Sequence, residues 1–107
     1  MSHILVLTTL PDQKSARDVA AALIEAKLAA CVNIGSHAVI SMYHWHEAIE
    51  TADEVPLTIK TRADLFDDVA EEIRARHPYE LPEIIAVPIT HGTSDYLAWL
   101  DAETQRR

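Results

Sequence analysis

Apolar and polar positions along this chain follow two periods, and each change of period marks an element. Ile4 to Thr8 is a short run of branched apolar residues stopped by the turn pair Pro11-Asp12, the pattern of a buried strand. From Ala16 the spacing changes: Ala16, Val19, Ala20, Leu23, Ile24 and Leu28 recur every three or four residues, with Arg17, Asp18 and Glu25 elsewhere on the wheel. That stripe predicts an amphipathic helix, with a side-chain oxygen of Asp12 or Ser15 to cap its first free N–H groups. No glycine follows to mark where the helix ends.

Strand signals return at Ala30 to Ile34. Gly35-Ser36 then allows a bulge or bend, and the β-branched and aromatic run Val39 to Trp45 continues in the same direction. Ala48 to Thr61 is the expected return strand, with Val55, Leu57 and Ile59 alternating onto one face. Pro56 lacks the N–H a ladder needs, which places it at an edge or a bulge. Thr61 is expected to cap a second helix striped by Leu65, Phe66, Val69, Ala70 and Ile73, which must stop before Pro78. Glu83 to Ile89 predicts a last strand, and Thr93 or Ser94 caps a short terminal helix carrying Tyr96, Leu97, Trp99 and Leu100. The order is β-α-β-β-α-β plus a helix. It specifies an α+β, ferredoxin-like split βαβ sandwich with a long β-hairpin and a C-terminal helix, in a single domain over residues 1–107. Two helices cover one face of such a sheet, so the hairpin's edges and apolar side chains call for another chain.

Composition narrows the function. A formal charge of −8 with few, scattered basic residues excludes a phosphate-binding track, so no nucleic-acid partner is expected. The first residues carry no basic n-region or cleavage site, and no apolar run approaches the ~20 residues of a membrane span. The single cysteine, Cys31, forms no intrachain disulfide and fits a reducing compartment, so a cytoplasmic location is expected.

Candidate chemistry is sparse. His44 and His46 stand two apart on an expected strand, where both rings would share a face beside Glu47, a partial Cu(II) or Zn(II) site. His77 precedes Pro78 and is either a ligand or general base, or a helix C-cap bonding the last carbonyls. Glu54, Lys60, Tyr79 and Glu83 are polar residues in or beside apolar strands. They line a cleft between subunits, where Lys60 would attract an anion, or they form interface bonds that set register. Trp45 and Cys31 fall in the same strands. Trp45 and Trp99 read as interface and core anchors, and Cys31 as a small buried hydrophobe with no cation evident nearby to activate its thiol. No phosphate loop, Ser-His-Asp order or Cys-x-x-Cys occurs, which favours a binding module over an enzyme. Two alternatives stay open: a small enzyme with an intersubunit acid–base site at Lys60, His77 and Tyr79, or a structural anchoring trimer.

Six segments, in order, carry a resemblance. Leu28-Ala-Ala-Cys-Val-Asn33, Ser41-Met-Tyr-His-Trp45, Glu54, Ile59-Lys-Thr61, His77-Pro-Tyr-Glu-Leu-Pro-Glu-Ile-Ile85 and Tyr96-Leu-Ala-Trp-Leu100 resemble the corresponding motifs of the divalent-cation tolerance (CutA) family. The resemblance implies a homotrimer with hairpins paired around the three-fold axis, a shape similar to the PII signalling proteins, and a role in tolerance of divalent cations, copper above all. It departs in two places. His46-Glu47 stands where the family commonly has a charged residue and Gly. Thr8 and Arg76 stand where some bacterial members have the Cys and first His of a copper site, leaving His77 alone and no thiolate for Cu(I).

Overall fold

A computed structural model describes residues 2–105. Its elements, in chain order, are β1 (His3–Leu10), α1 (Gln13–Glu25), β2 (Cys31–Ile34), β3 (Val39–Trp45), β4 (Ala48–Arg62), a 3-10 turn (Ala63–Leu65), α2 (Phe66–Arg76), β5 (Ile85–Ile89) and α3 (Ser94–Glu103). The sheet order is β2-β4-β1-β5, antiparallel throughout, with β3 pairing the outer half of β4. This is the ferredoxin-like arrangement expected from the element order.

The core follows from alternation. Ile4, Val6, Thr8 and Leu10 of β1 and Val55, Leu57, Ile59 and Thr61 of β4 turn one way and are buried. Against them pack Ala16, Val19 and Leu23 of α1 and Val69 and Ile73 of α2, so both long helices cover the same face. Leu5 and Leu7 of β1 and Val87 and Ile85 of β5 turn the other way and share rows through the register Leu5↔Val87 and Leu7↔Ile85. At one end of that face α3 is anchored by His3 Nε2 to Asp101 Oδ1 (2.8 Å) and by Arg62 Nη2 donating to the Thr104 carbonyl (3.0 Å). Leu100 takes the inward position on α3, which leaves Trp99 44% exposed; Trp99 is not a core anchor of this chain.

β4 carries the chain past its own helices. From Ile34 to Val39 the β2–β3 side advances five residues while β4 advances three, Leu57 to Glu54, so Gly35-Ser36 lies in a two-residue bulge. Pro56 sits opposite it, with its carbonyl accepting from Gly35 N–H (2.9 Å); its missing N–H faces the bulge and removes no ladder bond. A Cβ on Gly35 would stand 2.8 Å from Pro56 Cδ, so the close approach of a rigid ring requires glycine there.

One local expectation is revised, and two unmarked turns are resolved. Thr61 caps no helix: it is fully buried in β4, and its hydroxyl donates to the Leu28 carbonyl at 2.6 Å. The second helix instead opens through the 3-10 turn, with Asp67 and Asp68 complementing the α2 N-terminus. The softly marked end of α1 is a Schellman motif in which Lys27 adopts φ 58, Lys27 N–H donates to Ile24 O and Leu28 N–H to Leu23 O. The hairpin tip closes without glycine as a two-residue turn with His46 at φ 49 and Glu47 at φ 66, the type I′ geometry that matches strand twist.

Lys27 and Glu47 therefore occupy backbone regions that disfavour a Cβ. Lys27→Gly and Glu47→Gly are each expected to raise stability by about 0.5–1 kcal/mol, the relieved strain exceeding glycine's greater unfolded-state entropy. Thermal midpoints at fixed protein concentration check this. A midpoint unchanged or lowered in both variants would contradict the assigned turn geometry.

Candidate functional site

The 15-residue β4 and the irregular segment 77–84 face each other across a groove of about 850 Å³. The hairpin supplies Tyr43, His44 and Trp45, β4 supplies Glu54, and the opposite wall supplies Tyr79 and Glu83. Of the residues expected at a cleft, then, Trp45, Glu54, Tyr79 and Glu83 come together, with His44 beside them. Within one chain Lys60 and Cys31 do not join them. They pair with each other across β2 and β4, Lys60 Nζ lying 4.0 Å from Cys31 Sγ. Lys60 is six residues along β4 from Glu54, about 20 Å at strand rise. The cation beside Cys31 went unseen in the sequence because 29 residues separate the two, and only strand register brings them together.

The segment 77–84 is held by a chain of polar contacts. His77 is buried at the end of α2 with an extended backbone, as the residue before a proline must have. Its Nε2 lies 2.6 Å from the Thr9 carbonyl, and its Nδ1 accepts from Tyr79 N–H at 3.2 Å. A carbonyl only accepts and an amide N–H only donates, so Nε2 carries the ring hydrogen. The ring bonds β1 and the segment that follows it, not the last carbonyls of α2. Both nitrogens are engaged, which leaves His77 no lone pair for a metal or a substrate proton.

Tyr79 continues the chain to Glu54. Glu54 lies at the junction where β4 leaves β1 and begins to pair β3, 7% exposed, and the Tyr79 hydroxyl donates to its carboxylate. Burial, and then the hydrogen bond and negative charge of Glu54, push the Tyr79 phenol from an ordinary 10.0 up to about 12. Glu80 and Glu83 are exposed on the same rim, and no lysine or arginine lines the groove.

The histidine pair is not the same-face strand pair expected. His44 is the one histidine of β3, whereas His46 is in the turn, its ring 4.8 Å from that of Trp45 in an edge-on contact. Among the described residues, no group of three or more His, Cys, Asp or Glu side chains is placed to hold a metal ion. Nor is the copper set of some relatives reproduced. Thr8 Oγ1 is buried without a hydrogen-bond partner, Arg76 Nε bonds Glu72 at 3.0 Å, and His77 is occupied.

The raised Tyr79 value has a sign. The folded state holds the phenol proton more tightly than the unfolded chain, so this contribution is complete below pH 10 and is lost as pH rises toward 12. Phenolate absorbance should show a component near 12 that disappears in Tyr79→Phe. Glu54→Gln should move it only part of the way back, because burial is the larger cause. A wild-type titration with no component above the ordinary phenol range would remove the Tyr79–Glu54 contact.

Residues 4–103 match the family model described as CutA1 divalent ion tolerance protein. A divalent-cation tolerance protein CutA of Escherichia coli is 39% identical over 101 residues, covering 94% of this chain and 89% of the relative. The crystal structure of CutA1 from Oryza sativa superposes with a TM-score of 0.95 at 39% identity, covering 100% of this chain and 97% of that one. A CutA from Archaeoglobus fulgidus, described as periplasmic, gives 0.93 at 38% identity over 96% of this chain and 99% of its own. Among the described residues no helix is long and apolar enough to cross a membrane. A match across nearly the whole chain, at this identity and with this agreement of fold, places the protein in the CutA1 divalent ion tolerance family.

Proposed function

We propose that the chain works as a homotrimeric, non-catalytic binding or signalling module of divalent-cation homeostasis, with the groove beneath the hairpin as its ligand site. The observation that carries the trimer is the bare apolar surface. Both long helices lie on one face of the sheet, while Ile85 and Val87 are exposed on the other and Ile40 (75%), Met42 (71%) and Ile49 (66%) are exposed on the hairpin. So much exposed apolar area on a small domain marks an interface. The family resemblance supplies the three-fold arrangement. A cytoplasmic location fits the single free cysteine.

Metal contact is assigned to the hairpin end. Among the described residues, His44 and His46 are the histidines whose ring nitrogens carry no hydrogen bond, so they are available as ligands, with neighbouring subunits completing a shell. Imidazole and carboxylate donors without thiolate favour Cu(II) over Zn(II).

Light scattering at micromolar concentration should give about three times the 11.9 kDa chain mass. Val87→Asp, a change at an exposed position of the protomer, should dissociate the assembly while leaving far-ultraviolet circular dichroism intact. A wild-type monomer, or a Val87→Asp variant that remains trimeric, would refute this use of the open face.

Titration calorimetry with Cu(II) and Zn(II) tests the metal assignment. The His44→Ala/His46→Ala double variant should lose more Cu(II) affinity than His77→Ala. Equal affinity in both variants and the wild type would mean that neither cluster meets the metal.

A further inference from the structure

We draw no further inference here: the strongest candidate, the shallow groove between the outer faces of α1 and α2, floored by Ala21, Ala22 and Ala26 and rimmed by Asp18, Glu25 and Glu72, is a stripe of small residues beside carboxylates of which two are already paired with Lys14 and Arg76, and nothing in the structure shows what covers it.

Discussion

The length of β4 is the constraint from which the rest of the structure follows. Its 15 residues span about 45 Å at strand rise, whereas the 13 residues of α1 span about 20 Å. Helices this short bury only the inner half of the strand, and the alternation of Val55, Leu57, Ile59 and Thr61 stops where their cover stops. Beyond Glu54, β4 pairs β3 alone and both faces meet solvent, which gives a molecule 45 Å long and 25 Å across its other axes. An isolated two-stranded ribbon has little stability of its own in water, so the projecting hairpin depends on partners the chain does not contain.

Glu54 marks the boundary between those two regimes. Val55 next to it is core, packed between sheet and helices, while Glu54 turns to the other side and lies under Tyr79. At such a boundary the backbone is rigidly paired on both sides, through Leu10↔Val55 inward and Val39↔Glu54 outward. The carboxylate is thus held in place by register instead of by an ion pair.

Much of the fold was legible because it rests on period and turn chemistry. β1, α1, the hairpin strands and the stripe of α2 follow from spacing, and the place of Pro56 at an edge or bulge from the missing N–H. What escaped depended on pairing across distance or on left-handed backbone. Thr61 looked like a cap because a threonine before an apolar stripe usually is one; its hydroxyl is instead taken by the Leu28 carbonyl, left free by the turn at Lys27. His46 looked like a strand residue because nothing in His46-Glu47 signals a type I′ turn, and so the shared face with His44 was expected wrongly. For the groove, the residue types were readable, but their grouping was not. Lys60 is as close to Glu54 in sequence as many true partners are, yet within one chain it lies about 20 Å further along the strand, beside Cys31.

The segment His77-Pro-Tyr can now be read as mechanics. Pro78 sets the extended backbone at His77 that ends α2 and directs the chain away from the helix axis. The His77 ring then ties that turn to the core by donating to the Thr9 carbonyl, and accepts Tyr79 N–H on its other nitrogen. Tyr79, so oriented, lays its ring 4.7 Å from that of His77 and reaches Glu54 with its hydroxyl. Three successive residues thus link β1 to β4 through a wall that carries no regular secondary structure. A loop wall would ordinarily have to be ordered on binding, at a cost of about 1–2 kcal/mol per residue. Here that ordering is built into folding, and the two bonds that position Tyr79 occupy both nitrogens of the His77 ring.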